Sequence, residues 1–208
     1  MQNTKDGLLI VISGPSGVGK GTVCKGVIDN NPTVEMSISA TTREKRAHEI
    51  EGVTYFYKTR DEFLRMADNN EFLEYTEVFG CNYYGTPRAF VQSERAKGRD
   101  VILEIDVQGA MNIKKAVQDA VLIFIAPPSM AELKSRLVQR GREDEEAISR
   151  RFYTAYNEIK FSGRYDYVVV NDVLKDAVRG VEDILGAERL RVCRNRELIS
   201  ELEGGINI

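Results

Sequence analysis

Along the chain, short runs of consecutive apolar residues alternate with stretches in which apolar positions recur every three to four residues. That alternation predicts strands and helices in turn. The runs at 8–12, 101–105, 121–126 and 167–170 read as strands buried on both faces, the third stopped by Pro127 and Pro128. Helical patterns follow them at 22–30, ended by Asn30, Asn31 and Pro32, at 108–117, and from Leu174 onward, interrupted by Gly180 and Gly186. The tail 204–208 is expected to fray. Strands alternating with helices are the pattern of a mainly parallel α/β sheet covered on both faces.

Two regions depart from that rhythm. From 34 to 57, short β-like runs broken by Arg43, Glu44, Lys45, Arg46 and Gly52 suggest a small antiparallel region inserted in the core. A short helix at 59–69 follows, with Phe63, Leu64 and Ala67 on one face and Thr59 and Glu62 as a capping box. The run 71–86, EFLEYTEVFGCNYYGT, mixes acids, aromatics and small residues, which suits either a planar polar ligand or hairpin packing. A helix at 87–97, closed by Gly98, leads back to the core. The second departure is a pair of charged helical patterns at 129–141 and 143–161, rich in arginine at Arg136, Arg140, Arg142, Arg150 and Arg151. Arg136 and Arg140 share a helix face, and with Arg150 and Arg151 they form two groups able to converge on one polyanion as a mobile lid. The division is a core of 1–37, 97–126 and 162–208, an insertion of 38–96 and a lid of 127–161, in one domain over 1–208.

The most specific signal sits where the first strand ends. Gly14, Pro15, Ser16, Gly17, Val18, Gly19 and Lys20 fit the G-x-x-x-x-G-K phosphate-binding loop, with the strand before and the helix after that it requires. Its glycines can take positive φ, so successive N–H groups can turn toward phosphate oxygens at a helix N-terminus while Lys20 reaches the β- and γ-phosphates. Gly21 stands where the motif ends in Ser or Thr, with Thr22 next, which leaves a direct hydroxyl ligand to Mg²⁺ open. Asp106, at the end of the second core strand, is placed to organise Mg²⁺ through water or to meet a phosphate acceptor; no direct protein ligand to the metal is expected.

Composition narrows the chemistry. The 208 residues are 42% apolar, enough for one substantial core, and the net charge of −3 argues against a protein that blankets nucleic acid. Cys24, Cys81 and Cys193 are too widely spaced for a disulfide framework or metal knuckle and read as reduced thiols. Neither a secretory leader nor an 18-residue apolar run is present, so a cytoplasmic protein without a membrane partner is expected, homo-oligomerisation being left open. His48 is the only histidine, so carboxylates, lysine and arginines must carry any catalysis.

From about Gly7 to about Arg196, most closely over 7–187, the chain resembles the guanylate kinase family. SGPSGVGKGT at 13–22 is similar to its ATP-binding phosphate loop, including Gly21 and Thr22, and Asn171 matches an adenine-side residue. SISATTREKR at 37–46 is similar to its GMP-phosphate segment; Arg43, Arg46, Tyr55 and Tyr84 match phosphate-binding positions, and Ser39, Glu74 and Thr86 match guanine-reading ones. Glu104 and Asp106 fall in its acidic strand-end motif, with Asp106 on the GMP side, and Arg136, Arg140 and Arg151 match lid arginines. Lys20, Arg43, Arg136, Arg140 and Arg151 are the residues the resemblance makes catalytic. It implies a phosphate-loop fold of three layers, with an inserted nucleoside-monophosphate region and a helical lid. It also implies transfer of the γ-phosphate of Mg²⁺-bound ATP to GMP, a step of purine nucleotide metabolism and GMP recycling. Gly21 departs from the more common serine and is shared with adenylate kinases; Cys81 is an extra residue in the FGNYYG run. An adenylate kinase on the same core and a non-enzymatic scaffold module are the competing readings. Glu74 with the TTR and NYYG stretches speaks against the first, the complete loop and absence of an attached domain against the second.

Overall fold

The computed structural model describes residues 6–78, 80–139 and 145–204. The four apolar runs form β1 (Leu9–Ser13), β7 (Asp100–Glu104), β8 (Val121–Ala126) and β9 (Tyr167–Val170), and β2 (Val34–Met36), expected in the antiparallel region, instead joins them in one five-stranded sheet ordered β2-β7-β1-β8-β9. Among the described residues every pairing in it is parallel, as the alternation of strands and helices predicts. Successive residues of β1 serve opposite faces, as period two requires. Ile10 and Ile12 join Ile123, Ile125, Val23, Val27, Val178 and Val181 on the side covered by α1 (Lys20–Asn30) and α7 (Leu174–Leu190). Leu9 and Val11 join Leu103, Leu122, Val91, Ala110 and Ile113 on the side covered by α3 (Arg88–Ala96) and α4 (Val107–Ala116). The run is continuous because both faces are buried.

α7 continues straight through Gly180 and Gly186, where a break is predicted. Glycine costs a helix interior only about 1 kcal/mol, and the buried stripe of Ala177, Val178, Val181 and Leu185 outweighs it. A separate helix α8 (Arg196–Gly204) ends the described chain; the rest of the predicted frayed tail lies outside it.

The insertion forms a second sheet, β4-β3-β6-β5, from β3 (Ala40–Thr41), β4 (Phe56–Tyr57), β5 (Phe72–Val78) and β6 (Asn82–Pro87). β5–β6 and β3–β6 are antiparallel, but β3 and β4 run parallel, which the long connection between them permits and the sequence pattern does not reveal. A separate small core underlies it, where the rings of Phe63 and Phe72 stack at 4.5 Å. Thr59 and Glu62 form the predicted capping box of α2 (Arg60–Asp68). Its inward stripe is the buried Phe63 with the partly buried Met66 and Ala67, whereas Leu64 is exposed. The 71–86 run is a hairpin, with Cys81 exposed in its turn.

Across the core, α5 (Met130–Gln139) and α6 (Glu145–Ile159) form the predicted charged pair, and Arg140 and Arg142 lie outside the described residues. Among the described residues no helix is long and apolar enough to cross a membrane. A cavity of about 1200 Å³ opens at the amino-terminal end of the parallel sheet. Four of its lining arginines pair with acids: Arg95 with Asp119, Arg189 with the buried Asp100, and Arg191 and Arg194 with the buried Glu188. That network pins the C-terminal segment to the sheet and faces away from the phosphate loop.

Candidate active site

The phosphate loop leaves β1 at its carboxyl end and enters α1 at Lys20, two residues earlier than the apolar pattern predicts. Gly14, Gly17 and Gly19 take φ of 143°, 89° and 92°. A side chain at Gly14 would place Cβ 2.3 Å from the Ile125 carbonyl oxygen, so both backbone freedom and the close approach of β8 demand glycine. α1 has no side-chain cap and no acid in its first turn, unlike α2, so its first N–H groups are left for an external anion. Lys20 Nζ donates to the carbonyl oxygens of Gly14 at 2.7 Å and Pro15 at 3.4 Å. Burial pushes the Lys20 ammonium down, and the charges of Glu104, Glu158 and Asp106 oppose that fall.

Two further strand ends converge there. Glu104 closes β7, and its carboxylate oxygens lie 3.2 and 3.4 Å from where a Cβ on Gly21 would stand. The space of the motif's usual hydroxyl therefore adjoins a carboxylate. Asp106 caps α4, its Oδ1 accepting from the Gly109 N–H at 2.7 Å. After β9, Asn171 is buried; its side-chain amide Nδ2 donates to the Val18 carbonyl at 2.8 Å, and its backbone carbonyl accepts from Arg136 Nη1 at 2.9 Å. Asn171 thus fastens the phosphate loop to Arg136 on α5. Arg136 also bonds Glu132, and Arg151 on α6 donates to Ser16 Oγ at 2.9 Å. Arg150 turns outward to Glu146 and joins neither, so the two predicted arginine groups do not converge as wholes.

The insertion supplies the facing wall. Thr86 pairs with Glu74 across β5 and β6, and continuing the β3–β6 register by one residue puts Ser39 opposite Thr86. Glu74 on β5, Thr86 on β6 and Ser39 just before β3 therefore form one row, on the face that Tyr84 shares two residues away. Thr86 Oγ1 donates to Glu74 Oε1 at 2.8 Å, while Glu74 Oε2 is buried without a hydrogen-bond partner. Burial, and secondarily the charge of Asp106, push the Glu74 carboxyl up to about 7 against the pull of Thr86. Gly109 lets α4 approach: a Cβ there would stand 3.1 Å from Glu74 Oε2 and 3.4 Å from Asp106 Oδ1. Asp106 thus lies between the lysine of one half-site and the carboxylate of the other.

Arg43 has a partner that sequence reasoning missed. Its Nη2 donates to Glu49 Oε1 at 2.7 Å, and Glu49 Oε2 accepts from the Arg46 N–H at 2.8 Å and from Tyr57 OH at 2.7 Å. These contacts, led by Arg43, hold the Glu49 carboxyl down at about 2. The Arg43 guanidinium sits 5.5 Å from the Tyr55 ring centroid, and Tyr55 meets Tyr84 edge-on at 5.8 Å. Arg43, Tyr55 and Tyr84 are therefore one cluster, whereas Arg46 contributes its backbone and leaves its side chain in solvent. The available signal for Glu49 was an acid six residues beyond Arg43 within a basic run.

The family model for guanylate kinase matches residues 6–188. The guanylate kinase of Caldanaerobacter subterraneus subsp. tengcongensis is 50% identical over 95% of this chain and 96% of its own length. That of Clostridium perfringens is 50% identical over 94% and 90%. A crystal structure of guanylate kinase from Anaplasma phagocytophilum superposes with a TM-score of 0.79 at 35% identity, covering 98% of this chain and 97% of that one. With its phosphate loop, its inserted sheet and these matches running nearly end to end, the chain belongs to the guanylate kinase family.

Proposed function

We propose that the protein transfers the γ-phosphoryl group of ATP to the phosphate of GMP, giving ADP and GDP. The observation that carries this beyond family membership is Glu74: a buried carboxylate with one oxygen held by Thr86 and the other unpartnered. Guanine presents adjacent N1–H and N2–H donors that suit such an acceptor, whereas adenine has no donor at N1. Ser39 and Thr86 complete the base site. Arg43, Tyr55 and Tyr84, with Arg46, receive the GMP phosphate, and the Glu49 carboxylate pre-orients Arg43 for it.

On the other side, residues 14–22 receive the ATP phosphates, with Asn171 supporting the loop toward the adenine side. A GMP phosphate oxygen attacks the γ-phosphorus in line, and the bond from that phosphorus to the bridging oxygen of ADP breaks. The attacking oxygen is already ionised, so no general base is required. Lys20, Arg136, Arg140 and Arg151 neutralise charge that spreads over the transferred group. Among the described residues no set of three or more His, Cys, Asp or Glu side chains forms a metal cage; a cation brought in on the nucleotide phosphates needs few protein ligands. The oxygen donors at hand fit a hard ion: Glu104 beside Gly21, and Asp106 through water. Mg²⁺ bound there supplies charge neutralisation on the phosphates. Residues 38–96 act as the GMP-binding part, 127–161 as the lid, and the remainder as the core.

A coupled ADP-formation assay with GMP, AMP, UMP and CMP tests the assignment. Turnover is expected with GMP and at least about a hundredfold less with AMP, in keeping with a site built around hydrogen bonds the wrong base cannot make. Equal turnover of AMP would overturn the base assignment. Excess EDTA is expected to abolish the reaction, and full activity in its presence would remove the metal from it.

A further inference from the structure

Glu158 is a carboxylate in the phosphate-binding half of the site that the reaction above leaves without a task. It lies on α6 seven residues after Arg151, two helical turns away and hence on the same face. Both side chains end on one residue of the phosphate loop: Arg151 Nη2 donates to Ser16 Oγ at 2.9 Å, and the Ser16 N–H donates to Glu158 Oε2 at 3.4 Å. α6 is thus held to Ser16 by a cation through the side chain and by an anion through the backbone.

The backbone N–H groups of such a loop are the donors that phosphate oxygens use. A carboxylate resting on one of them has the charge and the acceptor geometry of the ligand itself. Lys20 lies within its electrostatic reach, and Asp106 adds repulsion. The ammonium of Lys20 is meanwhile folded back on the Gly14 and Pro15 carbonyls. Each polar group of the loop named here already has a protein partner.

We propose that Glu158 is a placeholder for a phosphate: its carboxylate holds the Ser16 N–H in the nucleotide-free enzyme and is displaced by the ATP phosphates, while Arg151 stays. This rests on the assignment of the loop to ATP. Two anions cannot share one N–H group, and a triphosphate that engages several donors at once outcompetes a single carboxylate. The arginine is attracted by the same charge that expels the acid. The arrival of nucleotide therefore releases one of the two attachments of α6 and strengthens the other, which couples occupancy of the loop to the position of the lid helix. Displacement also subtracts from affinity, because nucleotide binds only the fraction of molecules whose loop is clear.

Titration calorimetry with ATP, with inorganic tripolyphosphate and with GMP, on wild type, Glu158→Gln and Glu158→Ala, reads this directly. Both variants are expected to bind ATP and tripolyphosphate about three- to tenfold more tightly than wild type, with KM for ATP falling in step and GMP affinity within twofold. Tripolyphosphate isolates the loop from the adenosine contacts, so a general loosening of the structure would not tighten it. Unchanged or weaker binding of both polyphosphates would overturn the proposal. Should Glu158→Ala unfold, Glu158→Gln retains the shape and decides alone. Lys20→Met separates the two layers of the argument: if it leaves ATP binding intact, the ATP assignment fails; if it weakens ATP while Glu158→Gln fails to tighten it, only the placeholder fails.

Discussion

Lys20→Met is expected to lower kcat by at least about 10³-fold while leaving a folded protein, the loss typical of removing a preorganised charge from a phosphoryl-transfer site. The fold does not depend on the ammonium. Its bonds go to the Gly14 and Pro15 carbonyls, and the core around it is made by Val18, Val23, Cys24 and Val27, all fully buried. What the substitution removes is a positive charge that Glu104, Asp106 and Glu158 face. With it gone, those carboxylates repel an incoming triphosphate, so ATP affinity falls together with kcat. Circular dichroism and thermal melting establish the fold, and single-turnover kinetics separate binding from chemistry. Turnover near wild type in a folded variant would mean that this loop is not the ATP site.

The core was legible in the sequence because its signals are local. A doubly buried strand needs an uninterrupted apolar run, and a phosphate loop needs glycines at fixed spacing, so residues 8–22 announce both their structure and their ligand class. Strand order and the row formed by Ser39, Thr86 and Glu74 depend on register between segments far apart in sequence; there the family resemblance, rather than any periodicity, singled out the residues. Glu49 and Glu158 escaped for a related reason. Each acts by pairing with a group on another segment or across a loop, and a single acid on a charged stretch looks the same whether it faces solvent, as Glu146 does, or a backbone N–H of the phosphate loop. The glycines of α7 misled in the opposite direction: local propensity spoke for a break, and a buried stripe overruled it.

Glu74→Gln is expected to reduce kcat/KM for GMP by tenfold to about 10³-fold, since each unmatched buried hydrogen bond costs about 1–3 kcal/mol and the new NH₂ faces the donors of guanine itself. The affinity for ATP should change little, because the phosphate loop stands on the parallel core and Glu74 on the inserted sheet. The same substitution is expected to stabilise the nucleotide-free protein. The Glu74 carboxyl is raised from 4.5 to about 7 on folding, chiefly by burial, so the native state binds its proton more tightly than the unfolded chain does. The contribution of Glu74 to stability is therefore fully present below pH 4.5 and lost as pH rises to 7, leaving a cost of up to about 3 kcal/mol at pH 8 that a neutral glutamine avoids. Melting temperatures of the variant and wild type should agree at pH 4.5 and separate in favour of the variant at pH 8. Binding of GMP runs the other way. Guanine donors favour the ionised carboxylate, so affinity in wild type should fall about tenfold between pH 8 and pH 6, where only about one molecule in ten is ionised. The GMP phosphate titrates in the same range, and the slope that persists in Glu74→Gln isolates its share. If GMP efficiency in the variant stays within twofold of wild type and the two pH slopes coincide, Glu74 does not read the base.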